Sequence, residues 1–195
     1  RQRDIWGQRS SIDLEEPDVC LHVHLDREGG VLSLDGSGGS LHRRGYRAEM
    51  GDAPLKENLA AGLIRLSGWT GTTPLIDPLC GSGTLLIEAA SLAAGHAPGL
   101  NRSFGLEGWA DFDDDLWKEE KERALKRQEQ GQFQPVIIGC EQDPSIAKQA
   151  RNNVEAAGLS HLISIQTGDF RVLQLPEGPG TIVCNPPYGL RIGAD

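Results

Sequence analysis

Cysteine is scarce in this sequence and poorly spaced for structural chemistry. Cys20, Cys80, Cys140 and Cys184 stand far apart, with no CxxC pair. That spacing argues against a zinc site and a disulfide framework, so no metal is expected. Isolated thiols near strand ends fit a reducing, cytosolic setting. Long apolar runs are missing too: none reaches the roughly 18 residues that suggest a membrane span. Arg1 to Trp6 lack the apolar stretch of a secretory signal and read as the middle of a longer chain. Basic residues are outnumbered, 19 Lys and Arg against 28 Asp and Glu, for a formal charge of −9. Such a chain has no general nucleic-acid-coating surface, although a local basic patch or an attached module remains open to it. No glycine loop is followed by Gly-Lys-Ser/Thr, which excludes a phosphate-gripping P-loop, and no complete GxGxxG is present. Internal repeats and low-complexity tracts are also absent.

What is present fits one sizeable domain and part of another: 195 residues, 38% hydrophobic, with 25 glycines. That much glycine points to tight turns and close backbone approaches. Residues 19–25 and 31–35 alternate around Gly29-Gly30 and predict a β-hairpin. A glycine-rich loop follows, ending in Arg43, Arg44 and Arg47. Residues 53–67 predict a helix, with Pro54 in its first turn and Leu55, Leu59, Leu63 and Leu66 recurring on one face. Leu75-Ile76 is a short strand ending in Asp77, and residues 84–94 form a helix closed by Gly95. From 96 to 134 the pattern weakens into an insertion carrying a charged, solvated helix. Residues 136–139 are a buried strand. Asp143 caps the next helix with Pro144 at its first position, and Ile146, Ala150, Val154 and Ala157 line one face. Residues 162–165 and 181–184 are the last strands. The alternation of strand and helix predicts an α/β fold with a mostly parallel sheet and flanking helices.

Four strand ends carry candidate chemistry. In LIDPLCGSGT an acid, Asp77, precedes a Gly81-x-Gly83 turn that opens a helix. Glycine lets a ligand approach the backbone, and the carboxylate suits a cationic ligand such as the methionine end of S-adenosylmethionine. Many βα turns use such glycines for packing alone. In GCEQDP, Glu141 stands just past a strand, where an acid binds ribose hydroxyls in open α/β sheets. In TGDF, Asp169 is placed to accept from an adenine amine and Phe170 to pack on the ring, although an ordinary turn explains the stretch alone. In TIVCNPPYG a core strand breaks into a rigid corner. The Asn185 side-chain oxygen and the Pro186 carbonyl can hold an exocyclic base amine in line for attack, and Tyr188 offers a face for a flipped base.

DPLCGSGT, GCEQDP, TGDF and NPPYG together resemble, in kind and order, the motifs of class I S-adenosylmethionine-dependent amino-methyltransferases. LSLDGSGGSLHRRGYR followed by APLKENLAA is similar to the segment joining a THUMP RNA-binding domain to its methylase in the RlmL-like rRNA guanine-N2-methyltransferases. Some members of that group are labelled adenine-specific DNA methylases. The resemblance covers roughly Val19 to Gly193. It implies a Rossmann-like methyltransferase fold, incomplete at the C-terminal side. It also implies residues 1–47 as the end of a THUMP-like domain and its linker, with 48–195 as the first part of the methylase. The cofactor implied is S-adenosylmethionine, held by Asp77, Gly81, Gly83, Glu141, Asp169 and Phe170. Asn185, Pro186 and Tyr188 would hold the target base, and Arg43, Arg44 and Arg47 would meet RNA phosphates or pair with acids of the chain.

The activity expected is methyl transfer to guanine N2 in large-subunit (23S) rRNA, so rRNA is the expected partner. Transfer to adenine in DNA is the alternative, since NPPY serves either base. A non-catalytic RNA- or nucleotide-binding module, methylase in ancestry only, is a third reading. A nicotinamide-dependent oxidoreductase is disfavoured, because its ribose acid belongs roughly 20 residues after the glycine loop.

Overall fold

The computed structural model describes residues 5, 7, 12–15, 17–47, 55–131 and 134–187. The chain divides into two compact units, one of residues 1–40 with 102–117 and one of 41–101 with 118–195.

The first unit carries an antiparallel hairpin of β1 (Cys20–Leu25) and β2 (Gly30–Asp35), paired from Leu25↔Gly30 to Cys20↔Asp35. Its turn is held locally: Asp26 Oδ1 accepts from the amides of Glu28 and Gly29, both at 2.8 Å. Beyond β2, Gly38 (φ +65°) packs so tightly that an added Cβ would lie 3.0 Å from Gly105 Cα. Phe104, Phe112 and Trp117 meet edge to face in the same unit, at centroid distances of 5.4 and 6.1 Å.

The second unit holds a four-stranded parallel sheet of order β5-β4-β3-β6. Its strands are β3 (Leu75–Asp77), β4 (Ile137–Glu141), β5 (Ile163–Thr167) and β6 (Thr181–Ile182). The helices are α1 (Glu57–Leu66), α2 (Thr84–Ala93), α3 (Asp114–Glu129, which starts in the first unit) and α4 (Pro144–Ala156). Leu75, Leu86, Ile87, Ile137 and Leu159 are fully buried in one core. Each contributes about 1.5–3 kcal/mol by leaving water. From Thr84 to Ala90 every residue of α2 is buried, so this helix is wrapped on all sides.

The parallel α/β architecture read from the sequence is present. Asp143 caps α4 as expected, its Oδ1 accepting from Ser145 N at 2.7 Å and Ile146 N at 3.3 Å. Three local expectations need correction. Leu59 and Leu66 of α1 are exposed, and the helix buries Glu57, Ala60 and Ile64 instead. Glu57 can go inside because Arg47 meets it there, a tertiary partner that helical periodicity does not reveal. On α4, Ile146 is exposed and Asn153 takes an inward place. The last strand is shorter and less buried than read, with Ile182 62% exposed. Among the described residues β6 has β3 as its one strand neighbour. Pro54 lies outside the described residues.

Candidate active site at the carboxyl edge of the parallel sheet

The chain runs outward from β3 through β4 to β5 and then crosses back to β6 on the other side of β3, so strand order reverses there. Open α/β sheets bind ligands at such a reversal, outside the carboxyl ends of their strands. Asp77, Glu141, Asp169 and Asn185 all stand at this edge, each at or just after a strand terminus.

Asp77 ends β3 and is 1% exposed. Its Oδ1 accepts from Leu79 N at 3.1 Å. Burial pushes its pKa up to about 7, the charge of Glu141 adds to the rise, and the Leu79 amide opposes it. Glu141 ends β4 and reaches across the edge: Oε2 accepts from Gly81 N at 3.1 Å and Oε1 from Asp143 N at 2.9 Å. The glycine turn is therefore tied to the neighbouring strand through a carboxylate.

Gly81 and Gly83 both adopt left-handed conformations, φ +51° and +84°, and Gly83 is the N-cap of α2. A Cβ at Gly81 would meet nothing within 4 Å, so the turn is open on that side, whereas one at Gly83 would sit 3.5 Å from Ala150 Cβ. The first glycine leaves room over the backbone and the second lets α2 approach α4.

The loop after β5 joins the same edge through Gly168 N, which donates to Glu141 O at 2.9 Å. Asp169 Oδ1 caps a short 3₁₀ turn by accepting from Arg171 N at 2.9 Å, and its carboxylate also pairs with the Arg171 guanidinium. These hydrogen bonds hold Asp169 near a pKa of about 2, ionised, with Arg171 engaging both of its oxygens, so a ligand amine would have to compete with that guanidinium. Phe170 is half exposed beside it. On the other flank, Val183 N donates to Ile76 O at 3.0 Å, which carries the chain past β6 to exposed Asn185 and Pro186. Asp77 acts electrostatically on the Cys184 thiol: burial first, then that carboxylate, raises its pKa. The Val183 amide is bonded to Ile76, the residue before Asp77, so the corner begins beside the end of β3. Tyr188 lies outside the described residues.

The basic cluster divides. Arg44 Nη2 pairs with buried Glu88 at 3.4 Å. Arg47 Nε pairs with buried Glu57 at 3.2 Å, while its Nη2 donates to Leu55 O at 2.6 Å and Thr84 Oγ1 at 2.7 Å. These two guanidinium groups are turned inward and pair with acids of the chain, the second of the two readings open to them in the sequence. Arg43 is exposed.

Two supports of the site were not singled out in the sequence. Asn153, 1% exposed on α4, donates from Nδ2 to Ser82 O at 3.0 Å and so holds the middle of the glycine turn. A polar residue on the apolar stripe of α4 was the available signal. Gly139 of β4 is the other: a Cβ there would fall on Leu86 Cδ1 and 2.9 Å from Cys80 Sγ. Neither the cleft of about 540 Å³ beside Tyr46 and Glu88 nor that of about 420 Å³ beside Trp69 and Gly95 includes any of the four strand-end residues.

This parallel sheet, with a glycine turn after β3 and acids at successive strand ends, is that of the Rossmann-like S-adenosylmethionine-dependent methyltransferases. Residues 44–195 match the UPF0020 family, described as RMKL-like, methyltransferase domain, and the chain belongs to that family. It is 49% identical, over 95% of its length, to the ribosomal RNA large subunit methyltransferase K/L of Photobacterium profundum, of which it covers 27%. It is 43% identical over its whole length to a Synechocystis protein named as an RNA methyltransferase, of which it covers 51%. SMU.472, a protein named as a methyltransferase and solved with SAH, superposes with a TM-score of 0.85 at 32% identity, over 99% of this chain and 51% of that one. The chain thus spans between a quarter and a half of these relatives.

The family's cofactor is S-adenosylmethionine, and the residues here fit it. Among the described residues, Asp77 and Glu141 are bonded by backbone amides alone, so two carboxylates face the turn with no cation between them. A carboxylate has about four acceptor positions. Glu141 uses two, which leaves capacity for vicinal hydroxyls.

Proposed function

We propose that this chain forms the cofactor-binding part of an S-adenosylmethionine-dependent RNA methyltransferase acting on an exocyclic base amine, guanine N2 in large-subunit rRNA. The observation that carries the reading is the Asp77–Gly81–Glu141 arrangement, two acids without a basic partner among the described residues around an open glycine turn, on the same sheet edge as Asn185-Pro186. RNA is favoured over DNA by the names of the two curated relatives. The domain reading follows the same line, with residues 1–47 ending a THUMP-like module and 48–195 beginning the methylase. The setting proposed is cytosolic.

When bound, S-adenosylmethionine supplies a methyl group activated by a positively charged sulfur. The residues do the rest. Asp77 and Asp169 orient the two ends of the cofactor, and Glu141 holds its ribose. The lone pair of an exocyclic amine is delocalised into the base, so the amine must be held in line. Asn185 Oδ1 and the Pro186 carbonyl accept its two N–H groups, which fixes the nitrogen and favours the positive charge that builds on it. The proline locks that corner, so the acceptors need no reorganisation. Asn185 Oδ1 and the Pro186 carbonyl would keep the amine nitrogen in place while the proton it sheds passes to solvent. Tyr188 would stack on the base. Arg43 is the phosphate contact that remains from the basic cluster.

The test is calorimetry of S-adenosylmethionine on this chain with an Asp77→Ala control. Transfer of labelled methyl from the cofactor to 23S rRNA and to duplex DNA follows. Binding lost in the control, with label in rRNA at guanine N2, is the expected result. Label in DNA adenine overturns the substrate. Binding without transfer to either leaves a cofactor-binding module. No binding to a folded chain overturns the site.

A further inference from the structure

One face of the β1/β2 hairpin carries a donor set that the cofactor site does not use. Cys20 and His22 are two residues apart on β1 and so project from the same face. Asp35 is the direct cross-strand partner of Cys20. The register therefore gathers a thiol, an imidazole and a carboxylate at one spot, although no pair of them has a recognisable metal-ligand spacing in sequence.

The atoms converge accordingly. Cys20 Sγ is 3.8 Å from His22 Nε2, and His22 Nε2 is 3.6 Å from Asp35 Oδ2. The three donor atoms all lie within 4.8 Å of one another. A tetrahedral zinc ion with Zn–S of about 2.3 Å and Zn–N or Zn–O of about 2.1 Å separates sulfur from nitrogen by about 3.6 Å and nitrogen from oxygen by about 3.4 Å. The sulfur–nitrogen and nitrogen–oxygen distances close by about 0.2 Å each, and the sulfur–oxygen pair, within 4.8 Å, closes by up to about 1.2 Å through side-chain rotation on the exposed strand end. The carboxylate is already oriented: Asp35 Oδ1 accepts from Ser37 N at 2.8 Å and from Ser37 Oγ at 2.5 Å, while Oδ2 faces His22. Outer bonds of this kind fix a ligand's direction at metal centres.

We propose that Cys20, His22 and Asp35 form a three-ligand site for a divalent transition ion of the zinc class, with a fourth position open to water. Thiolate with imidazole selects such an ion over magnesium or calcium, which take oxygen donors. The location gives the site a mechanical consequence. The Asp26 turn ties one end of the hairpin, and Cys20↔Asp35 is the last pair at the other end. A metal there clips the open end. That matters because Leu21, Val23, Leu25, Leu32 and Leu34, on the opposite face, are all more than half exposed and contribute little burial. An isolated two-stranded hairpin is marginal in water.

The experiment is titration of the 195-residue chain with Co²⁺ followed by absorbance, and competition with Zn²⁺. One equivalent is expected, with a thiolate-to-cobalt charge-transfer band that Zn²⁺ displaces. Cys20→Ala should remove the band and weaken Zn²⁺ binding at least tenfold. His22→Asn should weaken it at least tenfold and keep the band, while Cys184→Ser changes neither. Circular dichroism checks that each variant is folded, and Asp35→Asn provides a second route to lost affinity. A band that survives Cys20→Ala, or one that Cys184→Ser abolishes, overturns the site. So does the absence of any thiolate band in the unaltered chain.

Discussion

Glu141 accepts a hydrogen bond from the amide of Gly81 at 3.1 Å, across 60 residues of sequence. The carboxylate that ends one strand thus braces the glycine turn that follows another. Its two remaining acceptor positions are those proposed for ribose. Glu141→Gln keeps one acceptor oxygen but loses the charge and two acceptor positions. Charged hydrogen bonds contribute about 1.5–3 kcal/mol each, so cofactor affinity should fall by about 10–100-fold. The fold should persist, as measured by calorimetry beside a urea unfolding curve. An affinity left unchanged means that Glu141 is only a brace.

Asp77 predicts two opposite responses to pH. Its folded pKa of about 7 lies above the ordinary carboxylate value of 3.8. The folded state then holds a proton that the unfolded chain has released. Its contribution to stability is full below pH 4 and is lost as pH rises through 7, at about 1.4 kcal/mol per unit while the difference lasts. A cationic ligand favours the ionised form, so cofactor affinity should instead rise between pH 6 and 8. Asp77→Asn should flatten the stability profile over that window and remove the pH dependence of binding. Unfolding midpoints at pH 5, 6, 7 and 8 read the first response, and calorimetry reads the second. A variant that retains the slope assigns it to another group.

Asn185 stands exposed beyond β6 and, among the described residues, braces no element. Truncating it should therefore leave the sheet and the cofactor site intact. Asn185→Ala is expected to abolish methyl transfer while cofactor affinity stays within about fivefold, since an interaction made in the transition state affects turnover rather than ground-state binding. Loss of cofactor binding in this variant would place the corner in the cofactor site.

What could be read from the sequence follows the range of the interaction. The Asp143 cap and the hairpin depend on neighbours within a few residues, and both were legible. So was the sheet edge, because an acid or a corner after an apolar strand is a local pattern. Leu59 and Leu66 misled, because helical spacing shows that a face is apolar without showing what it packs against. Arg44 and Arg47 stood between two readings for the complementary reason. Their acids, Glu88 and Glu57, lie 44 and 10 positions further on, and a run of arginines looks like a phosphate patch until its partners are seen. Asn153 was hidden in the same way, since its partner is a backbone carbonyl 71 residues earlier.

Arg43, Arg44 and Arg47 should therefore behave as two classes. Arg47 is 13% exposed and Glu57 5% exposed, so Arg47→Ala strands a carboxylate out of water and also frees Thr84 and Leu55. Breaking one side of such a buried pair costs about 3–5 kcal/mol, much of it the unpaired charge. Removing both charges with Arg47→Met and Glu57→Leu should recover most of the loss, because no buried ion is then left over. Arg43→Ala should cost little stability. If Arg43 meets phosphate, that substitution should weaken RNA binding and lower the slope of log K against log salt by about one unit. Urea unfolding of each variant, with salt-dependent RNA titration of the folded ones, separates the classes. An Arg47→Ala chain as stable as the parent would show that the ion pair contributes nothing and return Arg47 to the phosphate surface.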